Sequence, residues 1–83
     1  MAPSQAFQQI FWYNFFMKIF AERLQELRTE MGLSQRELAK QVNLSHTAIV
    51  RWEREERVPN AEAVVVLAKF FAVSADYLLG LSD

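Results

Sequence analysis

Cysteine is absent from this chain of 83 residues, glycine and proline occur twice each, and histidine occurs once. Without cysteine there is no disulfide framework and no thiolate metal site, so a domain this small must be held by side-chain packing. With so little glycine, no phosphate-cradling loop can be assembled. A single histidine and acidic residues on predicted solvent faces leave no nucleophile-base pair and no metal cluster, which argues against an enzyme and against a bound cofactor. Positive charge is missing from the start of the chain. The first Lys or Arg is Lys18, where a secretory signal would need a basic opening. Asn14 and Lys18 interrupt the longest apolar run, so a membrane-spanning helix is not expected.

What is present divides near Met17. Six of the eleven aromatic residues (Phe7, Phe11, Trp12, Tyr13, Phe15, Phe16) lie in residues 1–16, and all nineteen charged residues lie in 18–83. The expected organisation is an aromatic-rich N-terminal extension, 1–17, followed by a globular body, 18–83. Projected as a helix, residues 7–17 are apolar all round, and such a helix must be covered by something. Three occupants stay open: its own domain or a second subunit, a membrane surface (disfavoured by the lack of a basic face), or none, if the segment is an unstructured addition.

The body reads as five helices. Phe20, Leu24, Leu27 and Met31 recur on one helical face, with Glu22, Arg23 and Glu26 turned to water and Gly32 as the stop. The Glu22, Glu26 and Glu30 row suits pairing with neighbouring Arg rather than acid-base chemistry. Ser34 and Glu37 form a capping box ahead of a helix whose inward stripe is Leu38, Ala39 and Val42. Asn43 tolerates the left-handed turn that follows, and Ser45 opens a third helix running to about Arg54. After Val58-Pro59-Asn60, a fourth helix over 61–71 buries Val64, Leu67, Ala68 and Phe71. Ser74 caps a short fifth, Ala75–Leu79, closed by Gly80.

Two short helices joined by a tight turn, with the small Ala39 at their crossing, describe a helix-turn-helix. Projected at about 100° per residue, the second of them gathers Ala48, Ile49 and Trp52 on one side and His46, Thr47, Val50, Arg51 and Arg54 on the other. The outward set suits a major groove: Arg pairs with guanine, Thr and His bond base edges, and Val meets a thymine methyl.

Gln35-Arg36-Glu37-Leu38-Ala39, Asn43-Leu44-Ser45, Ile49-Val50-Arg51-Trp52-Glu53-Arg54, Pro59 and Ala72-Val73-Ser74-Ala75-Asp76-Tyr77-Leu78-Leu79-Gly80 together resemble the Xre/lambda-repressor-like (Cro/C1-type) helix-turn-helix family, over about Ile19 to Leu81. The resemblance implies an all-α, compact five-helix DNA-binding domain acting as a cytoplasmic transcriptional regulator, most often a repressor. Such a protein is bacterial or phage-encoded, nucleoid-associated, and bound as a homodimer to a pseudo-palindromic operator. Carried over, it implies base contacts by His46, Thr47, Val50 and Arg51. Phosphate contacts would come from Gln35, Arg36, Asn43, Ser45, Arg54 and Arg57, and a dimer contact from Tyr77, Leu78 and Leu81. No cofactor is implied.

The chain departs from the family where Asn43, Glu55 and Ala72 replace frequent glycines. Within residues 34–57, five cations (Arg36, Lys40, Arg51, Arg54, Arg57) face four anions (Glu37, Glu53, Glu55, Glu56). On that count Glu53, Glu55 and Glu56 repel phosphate and affinity is modest unless two subunits bind together. The alternative function is a protein-interaction module, antitoxin-like or adaptor, that uses residues 7–17 to engage a protein partner.

Overall fold

The computed structural model describes the backbone of residues 5–83 and side chains from residue 11 onward. It contains five helices, α1 (Gln5–Glu30), α2 (Gln35–Val42), α3 (His46–Glu53), α4 (Ala61–Phe71) and α5 (Ala75–Leu78), and no strand among the described residues.

Local chemistry sets the boundaries. Each of the four later helices begins at a side-chain oxygen that accepts from the third helical N–H. Ser34 Oγ accepts from Glu37 (3.0 Å), Ser45 Oγ from Ala48 (3.2 Å), Asn60 Oδ1 from Ala63 (2.8 Å) and Ser74 Oγ from Tyr77 (3.0 Å). These bonds satisfy donors that a helix start leaves without partners. Glu37 completes the capping box by accepting the Ser34 N–H at 2.9 Å, and this bond holds its carboxyl below the usual carboxylate range.

The helix ends are equally uniform. In α1, α3, α4 and α5 the chain closes with paired backbone bonds: Leu33 to Arg28 with Gly32 to Thr29, Glu56 to Arg51 with Glu55 to Trp52, Val73 to Ala68 with Ala72 to Lys69, and Leu81 to Asp76 with Gly80 to Tyr77. Each of these four closures, and the end of α2 where Asn43 and Leu44 both donate to the Ala39 carbonyl, needs one residue with positive φ. Glycine supplies it at positions 32 and 80; Asn43, Glu55 and Ala72 adopt it at φ 55°, 62° and 57°. The three departures from the family's glycines are thus the three left-handed non-glycine residues. Gly80 is constrained twice over, because a Cβ there would stand 3.0 Å from Ile19 Cγ2.

The core draws on every helix. Phe20 and Leu24, Leu38, Ile49, Leu67 and Leu78 are the largest fully buried side chains, and the Trp52 ring meets Phe20 edge-on at 6.0 Å. Ala39 is buried at the crossing of α2 and α3. α1 packs on α3 and α5, and α2 on α3 and α4.

Several expectations need revision. α1 runs without interruption across residue 17, with Met17 buried and Phe16 half-buried, since nothing between Gln5 and Glu30 breaks a helix. Met31 is exposed: it sits one residue past the end of α1, where the helical projection no longer holds. Arg23 is not turned to water. Its guanidinium lies 4.2 Å from the centre of the Tyr77 ring and donates to the backbone carbonyls of Tyr77 and Ser82. In α4, Ala63 takes the inward place beside Val64, Leu67 and Ala68, while Phe71 is only half-buried.

Candidate nucleic-acid interface

α3 is presented as its sequence pattern predicts. Ala48, Ile49 and Trp52 are buried, Thr47, Arg51 and Arg54 are exposed, and His46 and Val50 are half-buried. Outward side chains His46, Thr47, Val50, Arg51, Arg54 and Glu56 line a shallow concavity of about 350 Å³. The face offers hydrogen-bond donors, acceptors and an apolar branched side chain within two helical turns, the mixture needed to read base edges.

Of the residues expected at phosphates, Arg54 lines this concavity and Ser45 and Arg57 line a neighbouring pocket with Asn60. Arg36, Asn43, Ser45, Arg54 and Arg57 are all exposed. Ser45 Oγ accepts the capping N–H of Ala48 and keeps its own hydroxyl hydrogen for an outside acceptor. Gln35 is half-buried at the start of α2, and its Nε2 donates to Glu53 Oε1 at 3.1 Å. The other amide hydrogen and the side-chain carbonyl remain available.

That contact belongs to a cluster the sequence did not announce. Arg28 on α1 grips Glu53 at the end of α3 with two bonds, Nε to Oε2 at 2.7 Å and NH2 to Oε1 at 2.9 Å, and its NH1 donates to the Leu33 carbonyl at 2.9 Å. The two side chains are only 12% and 5% exposed. Bonding to Glu53 raises the Arg28 pKa above its already high ordinary value. Two-pronged Arg–carboxylate bonding fixes orientation as well as distance, so this cluster sets where α3 lies relative to α1 and the start of α2. It also corrects the charge reading: Glu53 is neutralised within the fold and does not face the concavity. Glu55 and Glu56 remain exposed.

The three residues expected at a dimer contact separate. Leu78 is fully buried in the core and cannot meet a partner, Tyr77 is half-buried beneath Arg23, and Leu81 is exposed. α5 has only four residues, too few for periodicity to reveal its inward side.

A profile of the helix-turn-helix family matches residues 24–78, from the last two turns of α1 to the end of α5. The chain belongs to the Xre/Cro/C1-type helix-turn-helix family. This Xre-type domain is 47% identical over 60 residues to the transcriptional activator BcrR of Enterococcus faecalis, covering 72% of this chain and 29% of BcrR. It is 39% identical over 62 residues to repressor protein C2 of Salmonella phage P22, covering 75% of this chain and 29% of C2. Among solved structures, the P22 c2 repressor in complex with a synthetic operator superposes with a TM-score of 0.71 at 38% identity, over 77% of this chain and 97% of that one. A hypothetical transcription factor from Neisseria gives 0.72 at 28% identity, over 77% of this chain and 74% of that one. The chain thus spans under a third of these two named relatives' length.

Glu55 in this Xre-type domain carries a cost. A side chain held in the left-handed region is strained by about 1 kcal/mol, and Glu55→Gly is expected to relieve it, raising the thermal midpoint by about 4–8 °C. Circular dichroism melting checks this; an unchanged or lower midpoint would mean that the Glu55 side chain contributes a contact that offsets its strain.

Proposed function

We propose that the chain is a sequence-specific DNA-binding transcriptional regulator, acting as a repressor in the bacterial cytoplasm, whether the gene is bacterial or phage-borne. α3 enters the major groove, where Arg51 donates to guanine, His46 and Thr47 bond base edges and Val50 contacts a thymine methyl. Gln35 and Ser45, at helix starts where partial positive charge gathers, hold phosphates together with Arg36, Asn43, Arg54 and Arg57. Two copies occupy a pseudo-palindromic site with half-sites about 34 Å apart.

The observation that carries this reading is the division of α3: Ala48, Ile49 and Trp52 anchor it while Thr47, Arg51 and Arg54 stand free on an open concave face. Likeness to a repressor held on an operator supports it. Repression is favoured over activation by the likeness to the operator-bound repressor structure, which the chain covers to 97%, whereas the activator BcrR is covered to 29%. No described helix is long and apolar enough to cross a membrane, and no described group of His, Asp or Glu could hold a metal ion.

Selection of bound duplexes from a random pool tests the reading. Enrichment of an inverted repeat whose binding weakens steeply with added salt is expected; a pool that stays random overturns it. In the same assay Gln35→Ala and Arg57→Ala each weaken binding about evenly across sequences, as loss of a phosphate contact should. A change of preferred bases in either variant would move that residue to the base-reading set.

A further inference from the structure

The N-terminal half of α1 leaves the globular body uncovered. Phe11, Trp12, Tyr13 and Phe15 are half exposed or nearly so, with Trp12 at 63%, and Leu81 beyond α5 is 73% exposed. The rings are ordered against one another, Trp12 meeting Phe11 and Phe15 edge-on at 5.7 and 5.9 Å. Between them and the end of the chain lies an apolar groove of about 380 Å³, lined by Trp12, Phe15, Phe16, Leu79, Gly80 and Leu81. None of these residues lines the α3 concavity. The aromatic turns also precede residue 24, where the family match begins, so they are additional to the shared DNA-binding unit.

We infer that this surface, formed by Phe11, Trp12, Phe15 and Leu81, is a self-association site whose occupant is a second copy of the chain. Contiguous apolar patches of this kind mark interaction sites, and three features select the occupant. The surface carries a ridge, Trp12 and its neighbours, beside a groove of the same chemistry. A two-fold axis can seat each ridge in the other copy's groove, as an interface between identical patches requires. Charge allows it along α1, which has no charged residue before Lys18, so the aromatic turns of two copies meet without the like-charge contacts that penalise wrong pairings.

The area suits a weak, reversible pair. An aromatic side chain buries about 150–250 Å², so the exposed parts of Phe11, Trp12 and Phe15 together with Leu81 offer about 400 Å² per copy. The pair then buries about 800 Å², the low end of interface sizes, where association is transient. An anionic bilayer, by contrast, recruits through clustered Lys and Arg. The first cations along the sequence are Lys18 and Arg23, and Arg23 is engaged with Tyr77. The inference supplies a surface for the two-fold arrangement proposed above but does not depend on DNA being the ligand.

Sedimentation velocity of the full chain over a concentration series tests it, with Trp12 as an internal reporter. Trp52 is buried at 5% and its emission stays constant, whereas Trp12 emission shifts to the blue as copies pair. Phe11→Glu and Leu81→Glu are each expected to weaken pairing by roughly tenfold or more. At concentrations low enough for the wild type to be monomeric their melting temperatures match it, because both side chains are exposed and only the pairing contribution is lost. A wild-type chain that remains monomeric at every concentration overturns the inference, as does a dimer indifferent to both substitutions. A monomer that co-sediments with phosphatidylcholine vesicles also overturns it and assigns the surface to lipid. Binding of Leu81→Glu to a single half-site duplex reports separately on α3: loss of pairing with half-site binding intact leaves the DNA reading standing.

Discussion

Glu53→Ala is expected to destabilise the domain by about 3 kcal/mol, at the lower end of the range for removing one partner of a buried ion pair. The lower end applies because Arg28 keeps 12% of its side chain exposed. Against a total stability of about 5–15 kcal/mol this is a large share. The cost arises from what remains: Arg28 keeps only the Leu33 carbonyl, and the Gln35 amide loses its acceptor. The double replacement Arg28→Met with Glu53→Leu removes both charges and should recover most of the loss, because neither ion is then left unpaired. Urea unfolding at constant m distinguishes these outcomes. A Glu53→Ala chain within about 1 kcal/mol of wild type would reduce the pair to a solvent-screened surface contact.

Arg51→Ala is expected to weaken binding to the preferred duplex by about 1–3 kcal/mol, roughly 5- to 150-fold, and to relax preference at one base position. Arg51 is exposed on the middle of α3, beside Thr47 and Val50 on the concave wall, and two parallel bonds from a guanidinium to guanine are the commonest specific contact in a major groove. Selection repeated with the variant checks it. If the enriched site keeps every position and its affinity, α3 reads the duplex through other side chains or not at all. Since the Arg51 side chain makes no hydrogen bond or ion pair among the described contacts, thermal stability should not change, which separates this effect from that of Glu53.

Legibility in the sequence followed distance along the chain. Ser34, Ser45, Asn60 and Ser74 cap helices through bonds to residues three places on, so a local pattern suffices to find them. The inward and outward sides of α2 and α3 were legible for the same reason: eight residues make two full turns. Arg28 and Glu53 stand 25 positions apart, and nothing local tells a carboxylate destined for a buried partner from one facing solvent. One hint was available, since Glu53 projects within about 40° of Ile49, on the flank of the buried side. Leu78 was misplaced because four residues cannot express a period, and Met31 because a stripe was extended past the helix that carried it. Continuity of α1 through Met17 was hidden by composition: an abrupt change in polarity reads as a boundary, although helical hydrogen bonding is indifferent to it.

That continuity has a mechanical meaning. Trp12 and Arg28 belong to one unbroken rod, about 24 Å apart along its axis, and Arg28 is clamped to the last residue of the reading helix. Two copies joined at their aromatic ends would carry their reading helices as stiff outriggers, with no hinge to take up slack. The gap between operator halves would then be dictated by protein length alone, so a spacer lengthened by half a turn of DNA would defeat simultaneous grip instead of being accommodated.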